Sequence, residues 1–410
     1  KILFNGKGSF VNLDGLGYSA TVNIEGGEAD LGGFPIRGLS ALLEFSTLRS
    51  SSGKLDFMAK SSPVEIEYIR NVPPNESLSV KLLSSELYPQ EILPAVSRLL
   101  NHWRGPGHAA PVDQAQAVAL QILGDATPLR NLSLSFSRMD SLLTVQEFYF
   151  YLYEGLVRGA GEIVLGAEDS HFNFGLQAEK LSLRPLVSQL TRKSLAEGNL
   201  YFLGHMEGEN LGEPNLLNRL RGGGEFKIID GTCNTFDLLG SIGTLANALG
   251  APPGAGVTRF NDLHADFVLL DGRVVTDELV FAGTHYSGRA QGFFSLEGAL
   301  NYQLMVFLDE ELTRKILGSR GKEGWSVPLQ LYGTLEHPRL GLDATTVKAV
   351  ADKLLPESLK RFGAGGRFAS GGEEEKAIAQ EFKEKGLTLL QEMLGRRAGS
   401  SPESQAAKKE

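Results

Sequence analysis

GGGEFKIIDGTCNTFDLLGSIG (residues 222–243), TRFNDLHADFVLLDGRVVTDELVFAG (258–283), HYSGRAQGFFSLEGALNYQLMVFL (285–308) and VPLQLYGTLEHPRLGL (327–342) make up the stretch whose reading decides the fold. Short apolar runs alternate there with turn residues: Asp230-Gly231, Asp271-Gly272, Glu297-Gly298 and Gly333. Asp-Gly between alternating runs signals a hairpin, because glycine reaches positive φ without a side-chain clash. Several such units in succession predict an antiparallel meander. Near its end, Leu300, Tyr302, Leu304, Val306 and Leu308 share one strand face, and Asn301, Gln303, Met305 and Phe307 share the other.

The same pattern extends upstream. Residues 139–177, MDSLLTVQEFYFYLYEGLVRGAGEIVLGAEDSHFNFGLQ, line up loosely with residues 270–307. Each copy runs strand, turn, strand, an arginine–glycine region (158–161 and 289–292), then a further strand, a turn and another strand. A weak internal repeat of this size implies a sheet extended by stacked units. In residues 147–153, Phe148, Phe150 and Leu152 fall on one face, and Tyr149, Tyr151 and Tyr153 on the other. Residues 1–85 also read as strand and turn; Val64, Ile66 and Tyr68 look one way while Glu65 and Glu67 look the other.

Interruptions are helical. Residues 89–124 change to three- and four-residue spacing and read as two short helices; 181–192, 215–222 and 238–249 read as short helical or turn crossovers. Residues 196–209 read as a strand pair. The tail reads as an amphipathic helix (344–356), a glycine-rich hinge (363–375), a second helix (375–394) and a disordered end. The organisation expected is therefore a strand-rich opening with two short helices (1–130), a repeated β-sheet region (131–343) and a helical tail (344–410). The fold class expected is mainly β: an elongated, curled antiparallel sheet, or a β-groove or sandwich built from repeated hairpins, with short crossover and terminal helices.

Composition narrows the function classes. Forty basic against 49 acidic residues, a net charge of −9, disfavour a dedicated nucleic-acid surface. A single cysteine, Cys233, excludes an intrachain disulfide framework and fits either a reducing compartment or an unstapled periplasmic protein. No run of 18 apolar residues spans a bilayer within this sequence. The seven histidines form neither HExxH nor a close two-ligand pair, and no serine sits in a GxSxG elbow. His264 and Asp266 share one strand face and read as a polar rim. The many aspartates fall mostly at turns, where they satisfy nearby backbone amides. The glycines of residues 220–226 lack the GKS or GKT of a phosphate loop. What remains is an aromatic and aliphatic load, 22 Phe and 10 Tyr, concentrated in strands. A sheet with one strongly apolar face must hide it, cover it with helices or present it to lipid.

These motifs also carry a likeness. Residues 222–231 (GGGEFKIIDG), 258–263 (TRFNDL), the Asp271-Gly272 turn, 288–292 (GRAQG) and 327–338 (VPLQLYGTLEHP) follow the order of motifs in the C-terminal region of AsmA-like proteins, which this stretch resembles. The departures are Leu331-Tyr332, where that family favours isoleucine before the glycine, and Gln291 within the glycine-rich strand. AsmA-like proteins are Gram-negative envelope proteins held in the inner membrane by an N-terminal helix, related to TamB-like and repeating β-groove lipid-transfer proteins. The resemblance implies a non-enzymatic periplasmic protein of outer-membrane homeostasis that binds or conducts phospholipid acyl chains along an apolar β-groove. It implies no catalytic residue, metal or cofactor. Implied partners are an acyl-chain lipid, the inner membrane through an N-terminal anchor not present in this sequence, and an envelope protein meeting the C-terminal helices; nucleic acid is not among them. Candidate lipid-facing residues are Phe148, Phe150, Leu152, Leu300, Tyr302, Leu304 and Val306, with Arg158 and Arg289 as candidate rim residues for phosphate. The alternative is a non-transporting envelope scaffold or assembly factor with a closed β core.

Overall fold

The computed structural model describes residues 8–13, 17–30, 35–46, 50–71, 76–93, 127–165, 170–191, 193–209, 219–235, 237–247, 257–317 and 323–341. The first ten strands are β1 (Gly8–Leu13), β2 (Gly17–Asp30), β3 (Pro35–Ser46), β4 (Ser51–Ala59), β5 (Ser62–Asn71), β6 (Ser77–Leu87), β7 (Leu129–Met139), β8 (Leu142–Leu152), β9 (Gly155–Val164) and β10 (His171–Ser182). After helix α1 (Leu183–Thr191) come β11 (Ala196–Glu209) and β12 (Arg221–Cys233). Helix α2 (Leu238–Asn247) then leads to β13 (Thr258–Leu270), β14 (Arg273–Ala282), β15 (Tyr286–Ser295) and β16 (Ala299–Leu308). Helix α3 (Glu310–Leu317) precedes β17 (Trp325–Thr334) and β18 (Pro338–Gly341). The chain is mostly β, an open antiparallel sheet with few short helices, as its alternation predicts.

Two compact units divide at Ala178/Glu179, inside β10, and the end of β11 from Met206 belongs with the first. In the first, each strand from β1 to β9 pairs antiparallel with the next. β6 pairs with β7 through Leu82↔Leu134, bridging the 130/131 boundary that the sequence suggested. In the second, the same holds from β12 to β18. Residues 196–209 form one strand, β11, and not the expected strand pair. Two of their three glycines, Gly198 and Gly204, have no room for a Cβ within the strand, so glycine there marks close approach to neighbouring chain rather than a turn. Of the upstream helices only the turn at 89–93 is described. The second upstream helix and the tail elements lie outside the described residues.

The internal repeat holds down to its irregularities. β8 carries a bulge between Val145 and Phe148, which oppose Gly161 and Gly159 of β9. β14 carries one between Thr276 and Leu279, which oppose Gly292 and Ala290 of β15. A bulge inserts a residue into one strand and sharpens the local twist. The glycine opposite it is required by space. A Cβ on Gly161 would lie 2.2 Å from the Asn173 carbonyl oxygen, and one on Gly292 (φ 150) 2.1 Å from that of Asn301. Both obstacles are backbone and cannot rotate away.

Aromatic rings exploit other glycines on the same face. Tyr68 opposes Gly53, Phe148 opposes Gly159 and Phe281 opposes Gly288. In each pair the ring occupies the space a Cβ would need, so it lies flat along the sheet. The Asp271-Gly272 hairpin has both residues at positive φ, 50° and 69°, as a type I′ turn demands.

Gly161→Ala and Gly292→Ala are each expected to lower stability by about 1–3 kcal/mol, the cost of overpacking against an immovable neighbour. Urea unfolding followed by circular dichroism measures this; an unchanged midpoint in either variant contradicts the close approach.

Candidate functional site

In-register pairing turns the alternation of single strands into rows that cross the first unit. One row runs Ile24, Ala41, Leu55, Ile66, Leu82, Leu134, Phe148 and Gly159, each directly opposite the next from β2 to β9. Beside it on the same face run Leu43, Gly53, Tyr68, Val80, Phe136, Val145 and Gly161. The opposite face carries Lys54, Glu67, Lys81, Ser135 and Glu147 in matching order. Lys54 bridges Glu65 and, at 3.5 Å, Glu67, so the charged face is satisfied by cross-strand pairs in water. Leu55, Ile66, Leu82, Leu134 and Phe148 remain half-buried, as do Phe57, Tyr68, Val80, Phe136 and Phe150. Phe148 and Phe150 stack with ring centroids 6.0 Å apart.

One end of this face is closed. Leu152 is 5% exposed, Val64 3%, and Ala59 and Ser62 are fully buried. Glu91, in the helical turn after β6, accepts hydrogen bonds from the Ser61 hydroxyl at 2.7 Å and amide at 3.2 Å, and from the Ser62 hydroxyl at 2.7 Å and amide at 3.2 Å. Burial pushes the Glu91 carboxyl up, but these four donors outweigh it and hold the group below the ordinary carboxylate range.

The second unit repeats the rows and covers them from β15 to β17, while Phe226, Ile228, Leu263 and Leu279 stay half-buried. Phe226, Ala265, Leu279, Ala290, Leu304 and Leu329 form one, and Ile228, Leu263, Phe281, Gly288, Val306 and Val327 the next. Leu238 and Ile242 of α2 join Phe281, Tyr286, Ala290, Tyr302, Leu304, Val306, Leu308, Trp325, Val327 and Leu329 in one buried cluster. Leu312 and Ile316 of α3 pack against it. Burial pushes the Tyr286 phenol up to about 12, and its hydroxyl donates to the Arg259 carbonyl. Tyr302 is raised by burial as well.

The candidate residues named from sequence thus separate. Phe148 and Phe150 lie half-buried on the first unit's apolar face, with Leu152 at its closed end. Leu300, Tyr302, Leu304 and Val306 lie on the second unit's face at 7%, 9%, 7% and 0% exposure; the last three belong to the covered cluster. Arg158 opposes Tyr149, on the face away from Phe148, and donates to Gln177 Oε1 at 2.9 Å. Arg289 opposes Val280 and Met305, also away from the apolar rows, and pairs with Glu278 at 3.2 Å. Neither arginine points toward the apolar face. His264 Nδ1 meets Asp262 Oδ1 at 2.7 Å. Among the described residues no group of three or more His, Cys, Asp or Glu is placed to hold a metal. Sequence reading did not assign Leu55, Phe57, Leu82 and Phe136 to the site. Their own alternation was the available signal, but the site becomes apparent only when pairing aligns separate strands.

Residues 105–279, somewhat under half of the chain, match the AsmA family. That stretch takes in the 222–231, 258–263 and 271–272 motifs, and it reaches upstream of the motif-bearing region rather than through residues 288–338. No curated protein and no solved structure matches the chain. None of the described helices is long and apolar enough to cross a membrane.

The Glu91 cluster carries its own prediction. A carboxyl held below its ordinary range stabilises the fold above about pH 4.5, and that contribution is lost as pH falls through the lowered value. Glu91→Gln is expected to cost about 1–3 kcal/mol at pH 7, with the gap to the parent protein closing in acid. Urea midpoints measured from pH 7 to pH 3 test it; a gap constant across that range contradicts the assignment.

Proposed function

We propose, from the match of residues 105–279 to the AsmA family, that the chain is a non-enzymatic periplasmic protein of outer-membrane homeostasis that binds phospholipid acyl chains along an apolar sheet face. AsmA-like proteins are envelope proteins, which supports the compartment. The observation that carries the lipid reading is the pair of directly registered apolar rows in the first unit, of which Leu55, Ile66, Leu82, Leu134 and Phe148 stay half-buried from β4 to β8. Strands about 4.8 Å apart make the eight-strand row about 34 Å long. One leaflet's hydrocarbon is about 15 Å thick, half of a ~30 Å bilayer core, so an acyl chain fits along the row. Each methylene removed from water contributes about 0.8 kcal/mol, without any polar recognition. With Arg158 and Arg289 on the other face, headgroup selectivity is expected to be weak. An N-terminal inner-membrane anchor and an envelope protein partner for the C-terminal region belong to the same proposal.

A second reading, a scaffold with a closed β core, draws on the covered cluster of the second unit. The two separate by experiment. Protein purified from a Gram-negative envelope is extracted, and its phospholipid is quantified by mass spectrometry. The groove reading predicts bound phospholipid that falls at least about tenfold in Leu134→Glu/Phe148→Glu, since a buried unpaired charge costs well over the ~1.4 kcal/mol of one decade. Lys81→Glu, on the opposite face, keeps its lipid. Absence of phospholipid from the folded parent protein favours the scaffold.

A further inference from the structure

The two units carry equivalent rows but different coverage, and the cover in the second is part of the chain itself. Ile242, Val306 and Val327 have no exposure, Leu238 1% and Trp325 2%. The helices responsible are held by polar bonds at their starts. Asp237 caps α2, accepting from the Gly240 amide at 2.7 Å, and the Leu238 amide donates to Thr258 Oγ1 at 2.9 Å. Asp309 caps α3, accepting from the Leu312 amide at 2.8 Å, and lies 2.9 Å from His285 Nδ1 in the β14–β15 turn. Apolar surface already withdrawn from water offers an incoming chain no further gain.

We infer that α2 and α3 are built-in occupants of the second unit's apolar face, so that the acyl chain is held by the first unit and the face from β15 to β17 is closed to it. This rests on the lipid reading above and assigns the contact residues within it: Phe57, Tyr68, Leu82, Phe136, Phe148 and Phe150 touch the chain. Leu300, Tyr302, Leu304 and Val306 do not. The physical difference is what faces each row. Apart from Val145 at 8%, the first unit's row side chains are half-buried from β4 to β8, whereas Leu304, Val306, Val327 and Leu329 of the second are at most 7% exposed.

The chain's two tryptophans, Trp103 and Trp325, make the inference measurable, because Trp325 sits inside the covered cluster. Trp103→Phe leaves Trp325 as the sole reporter there, and Trp103→Phe/Phe150→Trp adds a reporter on the first unit's face. Each protein is loaded with phosphatidylethanolamine bearing brominated acyl chains, a contact quencher, or with its unbrominated counterpart. Bound lipid is quantified after extraction. Trp325 emission is expected to be the same with either lipid, and the double variant is expected to lose the emission contributed by position 150. Quenching of Trp325 in Trp103→Phe overturns the inference while leaving the lipid reading intact. Bound lipid that quenches neither position overturns the assignment to the first unit. No bound lipid in either protein overturns the lipid reading itself, and the inference with it.

Discussion

Direct cross-strand registration is the constraint on which the structure depends. A strand alternates its side chains with period two, so a one-residue slip sends an entire apolar set to the opposite face. Leu55, Ile66, Leu82, Leu134 and Phe148 stay aligned over five strands because every intervening pairing keeps phase. Where an extra residue enters, at Val145/Phe148 or Thr276/Leu279, the bulge restores the phase and the glycine opposite gives it room. Charged pairs such as Lys54 with Glu65 and Glu67 oppose the same slip from the other face, because a shifted strand would carry them onto the apolar rows.

A face made this way has to be covered, and the two units differ in how. In the second, two short capped helices insert Leu238, Ile242, Leu312 and Ile316, producing a core from what is otherwise one layer of sheet. In the first, Glu91 closes one end by binding Ser61 and Ser62, and the row from Leu55 to Phe148 stays half-buried. Rings laid over Gly53 and Gly159 keep the rest of that face low and smooth, since Tyr68 and Phe148 lie along the sheet rather than standing on it.

Much of this was legible in the sequence. The Asp-Gly turn at 271–272, the opposing faces of 147–152 and the repeat between 139–177 and 270–307 all follow from residue order, though Tyr153 leaves the strand for the turn at φ 47. The repeat is closer in structure than in identity, because what it preserves is a bulge opposite a glycine. The candidate site was only half legible. Periodicity marks Leu304 and Phe148 equally as facing inward, and it carries no information on whether α2 and α3 lie over one of them. Arg158 and Arg289 looked like rim residues because they adjoin glycines. Their pairing with Tyr149 and Val280 decides their face, and that depends on bulges that do not show in a single strand. Residues 196–209 form one strand where a pair was expected, and Gly204 within it is needed where backbones crowd.

The central claim is that one face of the first unit, and not the other, meets lipid. Its most direct measurement is photocrosslinking in intact envelopes with benzoylphenylalanine at two adjacent positions, Phe150 and Tyr151. Phe150 opposes Val157 on the apolar side, and Tyr151 opposes Leu156 on the other. The account predicts phospholipid adducts at position 150 and none at 151. Equal labelling at both, or labelling at 151 alone, would contradict it.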